Sequence, residues 1–174
     1  MTAEDNFIKF SADKLEQLHG RIQDCLARLT AEQIWTRNSE NENAPANLVL
    51  HLCGNLRQWI GSGVGGQPDH RKRDSEFDAR GGLSPAELSD RLRTVVAEAA
   101  DIIRGVPVAR LTERILPQNH DVTVLEAIYH VVEHFSQHTG QIILLTKLLT
   151  GEDLGYYQHL RGTGRPTAKS AHLP

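Results

Sequence analysis

Apolar residues recur at three- and four-residue steps in four stretches of the chain, the spacing that puts them on one face of a helix. Phe7, Phe10, Leu15, Leu18, Ile22, Cys25, Leu26 and Leu29 predict a first helix from about Ala3 to Leu29. Leu48, Leu52, Leu56 and Trp59 predict a second, from about Pro45 to Ser62. Proline suits a first helical turn, and Gly61, Gly63, Gly65 and Gly66 end the stretch. A third helix starts at Ser84-Pro85-Ala86-Glu87, with serine as cap, proline in the first turn and glutamate three residues after the cap. It carries Leu88, Leu92, Val95, Val96, Ala99, Ile102 and Ile103 until Gly105 and Pro107 stop it. The fourth runs from about Thr123 to Leu149, with Asp121 or Thr123 near its cap and Gly151 beyond its end.

Two connections are long. Gly61 to Leu83 is polar and glycine-rich, and holds the charged stretch Arg71 to Phe77, which reads as a solvated loop with internal ion pairs. Gly105 to Val122 contains Leu111 to Leu116, which alternates and is able to pair as a short strand. Four amphipathic helices without a strong strand pattern predict an all-α fold, a four-helix bundle with long crossover loops that let neighbouring helices run parallel. At 174 residues the chain is long enough for one domain with a hydrophobic core. We place the bundle at 1–151 and a C-terminal extension at 152–174, partly loose in its Gly/Pro/Lys segment after Tyr156, Tyr157 and His159.

Composition narrows the function classes. Hydrophobic residues make up 39% and charged residues 24%, as in a soluble globular protein. The net charge is −3, and the basic run His70-Arg71-Lys72-Arg73 is flanked by Asp69 and Asp74, so no nucleic-acid footprint is expected. No apolar run approaches the roughly 20 residues of a membrane span. The first residues, Met1 to Asn6, are acidic and lack the order of a signal peptide, so the expected location is the cytoplasm. There Cys25 and Cys53 are expected as free thiols. Cys53 is two residues from His51, about 200° around a helix, and so points away from the side that His51 faces.

The chemistry is concentrated in histidine. His134 and His138 are at i and i+4, so on a helix their rings lie on one face, within the inward stripe of Val131, Phe135, Ile142 and Leu145. Burying two polar rings together is costly without partners, and one transition metal partners both. His51 sits in the apolar second helix and completes three nitrogen donors if the two helices pack together. His130 extends the column by another turn, but each turn rises about 5.4 Å, which spreads three rings of one helix too far for one ion. Asn55 and Gln141 face the same way as His51 and His138 and are candidates for outer hydrogen-bond partners of the ligands, or for polar residues at the bundle rim. Three neutral imidazoles suit Zn²⁺ or Ni²⁺. A His-Glu-x-x-His sequence is absent, and Glu133 faces outward, so Glu76 in the charged loop and His130 are the candidates for moving protons.

The stretches Asn47 to Asn55 and His134-Phe135-Ser136-Gln137-His138-Thr139-Gly140-Gln141-Ile142 resemble the DinB/YfiT-like superfamily, the second through its His-x-x-x-His-x-Gly-Gln ending. Gly54 to Trp59 and Arg71 to Phe77 are most similar to an uncharacterised branch of it. The resemblance covers nearly the whole chain to about Gly151 and has Thr139 where many members carry arginine. It implies up-down-down-up connectivity, a homodimer, and a divalent metal held by His51, His134 and His138. Characterised relatives include transferases and isomerases that activate a low-molecular-weight thiol on the metal.

The expected function is therefore a metal-dependent enzyme on a small-molecule substrate, foremost a thiol-dependent transferase. In it Arg57, Arg71 and Arg73 hold the carboxylates of the thiol. The competing readings are a metal-dependent hydrolase and a non-catalytic, stress-related dimer that binds a metal or ligand.

Overall fold

The structure is a computed structural model and describes residues 1–160. Helix α1, Ala3–Leu26, starts where Thr2 accepts from the Asp5 N–H and Asp5 returns a bond to the Thr2 N–H. It ends a turn earlier than the apolar pattern, although Leu29 stays buried. Helix α2, Pro45–Leu56, starts with the Asn47 side chain accepting from the Ala44 N–H at 3.2 Å. The rod continues as a π-helical stretch, Arg57–Val64, in which the Gly65 N–H reaches the Ile60 carbonyl at 2.8 Å. The expected end at Ser62 thus falls inside a widened turn rather than in an α-helix.

The charged stretch expected as a solvated loop is different. Arg73–Asp78 forms a short helix, α3, and its Glu76 is buried. Its C-terminal carbonyls need partners. Asn47 supplies one donor group to all of them: its Nδ2 lies 2.9 Å from Glu76 O, 3.4 Å from Phe77 O and 3.0 Å from Ala79 O. Helix α4, Pro85–Arg104, has the predicted Ser84/Glu87 cap. A two-residue antiparallel pair follows, β1 at Arg114–Ile115 and β2 at Val122–Thr123, with Arg114 opposite Thr123. The expected strand over Leu111–Leu116 is thus cut to two residues, because Val108–Thr112 coils into a 3-10 turn. Helix α5, Val124–Thr150, starts at a Thr123/Glu126 cap and ends at Gly151, whose φ of 73° is cheap only for glycine.

The fold is all-α apart from that pair. Helix α1 packs on α4 and α5, and α2 packs on the same two. Their shared interior holds Leu15, Ile22, Leu52, Leu56, Leu92, Ile103, Ile128 and Phe135, all fully buried. A side chain of this size contributes about 1.5–3 kcal/mol when removed from water. Residues 152–160 lie against α1: Leu154 is buried, and the Tyr156 hydroxyl donates to Arg21 O at 3.0 Å. The rest of the expected extension, 161–174, lies outside the described residues. Among the described residues no helix is long and apolar enough to cross a membrane.

Candidate metal centre

The α2–α5 contact decides whether the histidines meet, and they do. His51 from mid-α2 points at the α5 column, where the helical repeat stacks His134 and His138. His51 Nε2 lies 3.0 Å from His134 Nε2, which lies 3.1 Å from His138 Nε2. One nitrogen from each ring falls within 4.8 Å of the others.

The outer nitrogens determine what the inner ones present. Glu76 Oε2 is 3.0 Å from His51 Nδ1, and Arg71 grips both carboxylate oxygens at 2.8 Å, through Nε to Oε1 and Nη2 to Oε2. Arg71 Nη2 also stands 3.1 Å from His51 Nδ1, but it is a donor already engaged with Glu76. The proton therefore sits on His51 Nδ1 and goes to the carboxylate, which leaves Nε2 bare. At the other ring, His138 Nδ1 donates to Gln141 Oε1 at 2.7 Å, and again Nε2 is bare. Two lone pairs thus aim at His134 Nε2. That ring has one proton at most to offer, and its own Nδ1 is buried without a partner.

A proton bridges at best one of these two contacts. A cation satisfies every inner nitrogen. Nitrogens held about 2.0–2.1 Å from a tetrahedral Zn²⁺ lie about 3.3–3.4 Å from one another, close to the spacing found. The donor set fits a divalent transition metal, with three protein ligands rather than the four of a closed structural site.

The electrostatics agree. Burial, reinforced by His138 and His51, lowers His134 from 6.5 to about 3, and burial lowers His138 as well. Both rings stay neutral at physiological pH, as ligands must. Burial alone raises the Glu76 carboxyl, but the hydrogen bonds of Arg71 and then His51 outweigh it and hold the group below its usual range. Glu76 thus stays a carboxylate that keeps the His51 proton outward.

The remaining sequence candidates fall in several places. His130 lies outside the three-ring group, stacked on Trp59 with centroids 4.1 Å apart. Burial lowers its pKa. Asn55 is buried on α2, and none of the hydrogen bonds of the three rings goes to it. Arg71 is bound to Glu76 and to Gln58 Oε1. Arg57 is exposed on the widened turn. Arg73 is exposed, its guanidinium 4.8 Å from the Phe77 ring centre, and that ring packs 4.8 Å from His51.

Two residues of the centre escape sequence reasoning. Asn47 clamps α3 and so delivers Glu76 to His51. Gly54 leaves the opening through which Glu76 enters. A Cβ there collides with Glu76 Oε1 and lies 2.8 Å from Arg71 Nε. A glycine inside an apolar helical run was the available signal.

Fold and site together define an all-α protein with a three-histidine group suited to a metal ion. The chain belongs to the family described as "Protein of unknown function (DUF1572)", whose model matches residues 2–162. Among solved structures it is similar to a conserved protein from Enterococcus faecalis, at 17% identity and a TM-score of 0.73, covering 87% of this chain and 99% of that one. That likeness concerns the fold alone. The comparison with curated proteins finds no match.

Proposed function

We propose that this protein is a divalent-metal-dependent enzyme that activates a small thiol for transfer to an electrophilic small molecule. The observation that carries the reading is the convergence of three neutral Nε2 atoms, two of them bared by fixed outer partners. Zn²⁺ or Ni²⁺ bound by His51, His134 and His138 supplies Lewis acidity, which favours the deprotonated form of a thiol at neutral pH. The resemblance to the DinB/YfiT-like superfamily, where such thiol chemistry occurs, supports the same choice.

The chain's own groups favour thiol activation over hydrolysis. A hydrolase needs a free base beside its nucleophile. Both oxygens of Glu76 are held by Arg71 and His51, and His130 is stacked on Trp59. Glu76 is therefore a positioning residue. Arg73, exposed above Phe77 next to His51, is placed to hold a carboxylate of the thiol. The homodimer belongs to the same proposal. Leu125, Tyr129, Leu144 and Leu148 of α5 are exposed apolar side chains that a second copy would cover.

The test begins with metal analysis of protein purified without an affinity tag. The protein loaded with Zn²⁺ or Ni²⁺ is then screened with glutathione, bacillithiol, mycothiol and coenzyme A against a panel of electrophiles. Metal-dependent consumption of one thiol, abolished in His51→Ala, is the expected result. Absence of turnover with every thiol refutes the transferase reading.

A further inference from the structure

A second feature lies on the other side of His51. A cavity of about 540 Å³ opens where α2 and its widened turn face α4 and the segment leading into α3. Arg57, Arg71, Lys72 and Arg91 line it, together with Gly54 and Glu76. Three of these four cations have no carboxylate within ion-pair distance among the described residues: Arg57, Lys72 and Arg91. The carboxylates on its wall do not neutralise them. Glu76 is taken by Arg71 and His51, and Asp69 accepts from Gln58 Nε2 and the Arg71 backbone N–H. Glu98 is exposed and pairs with none of them. Guanidinium and ammonium groups gathered without counter-charges around a concave surface form a receptor for an oxyanion.

The position of Arg71 gives the cavity a second property. This side chain is 3% exposed, and it forms cavity wall and Glu76 clamp at once. Glu76 in turn orients His51. An anion that draws on Arg71 competes with Glu76 for the same donors.

We propose that this cavity binds a small oxyanion, a carboxylate or a phosphate, and that its occupancy is transmitted through Arg71 and Glu76 to the three-histidine centre. The transmission rests on the metal reading above; the anion site does not. The binding measurement uses metal-free, full-length protein, titrated by calorimetry with inorganic phosphate and, separately, with succinate. Saturable binding of one probe is expected, and which one binds distinguishes phosphate from carboxylate ligands. Arg57→Glu with Arg91→Glu lowers the affinity at least tenfold. Arg57→Gln with Arg91→Gln, a milder pair at exposed positions, gives a smaller loss and guards against misfolding. Failure of both probes to bind, or binding indifferent to both variant pairs, overturns the site.

The transmission is read with Co²⁺ bound, from its visible absorption bands. The binding probe shifts these bands in the wild type and leaves them in place in the Arg57→Glu/Arg91→Glu protein. Equal shifts in both mean that the anion reaches the metal directly, and overturn the relay. A protein that takes up no cobalt overturns the relay and the proposed function together, while calorimetry still decides the cavity.

Discussion

Glutamine at position 76 is the sharpest perturbation, because it keeps the shape of the side chain and removes only its charge. Glu76 and Arg71 form a buried, two-pronged pair, with side chains 10% and 3% exposed. Removing one member of a buried pair costs about 3–5 kcal/mol, since the other charge is left without compensation. The amide oxygen of glutamine still accepts one bond from Arg71, so the lower end, about 3 kcal/mol, is expected. In a chain of this length each kcal/mol moves the melting temperature by about 2–4 °C, which predicts a fall of about 6–12 °C for metal-free Glu76→Gln. The second effect is on the metal. Without a carboxylate at Nδ1 the His51 proton is no longer held outward, and loss of such a partner weakens metal binding about 10–100-fold. Calorimetric melting of chelator-treated protein reads the first effect. Competition with a chromophoric zinc chelator reads the second. A lowered melting temperature with unchanged zinc affinity refutes the orienting role of Glu76, and no change in either refutes the whole account.

The remaining predictions concern the same centre. Gly54→Ala forces Glu76 off its path and should weaken zinc binding to an extent comparable with Glu76→Gln, measured by the same competition; unaltered affinity means that Glu76 is not confined there. His130→Ala should leave metal stoichiometry by elemental analysis intact, whereas His134→Ala and His138→Ala should each reduce it. Metal-free protein should lose stability in urea as the pH falls below 6.5 toward 3. The unfolded His134 ring takes up a proton in that window and the folded one does not, so its contribution is full above 6.5. His134→Gln should flatten that dependence. Glu76 works lower: its contribution is full above 4.5 and fades as the pH drops through its depressed folded value, so Glu76→Gln should flatten the limb below 4.5.

The long periodic elements were legible in the sequence because burial and periodicity coincide in them. The Ser84/Glu87 cap fixed the start of α4, and the i, i+4 spacing alone put His134 and His138 on one face. His51 was a weaker inference from residues, since its meeting with that pair depends on how α2 packs on α5, which no local pattern encodes. Glu76 was harder still. Arg71 to Phe77 is dense in charge and too short to show a period, and the burial of its glutamate depends on two distant features, the Asn47 clamp and the gap at Gly54. The widening after Leu56 was hidden for a different reason: an apolar stripe looks the same whether the rod winds with four- or five-residue bonds until the two frames drift apart.

That widening divides one continuous rod into two segments with separate aim. A π-type turn holds one residue more than the α-helical turn it replaces, and each residue of an α-helix accounts for about 100° of rotation. The surplus residue sets the azimuth of Trp59, and hence its stack on His130, without touching the segment that carries His51. Natural variation in chain length just past Leu56 is thereby absorbed downstream, and the aim of the ligand ring is insulated from it.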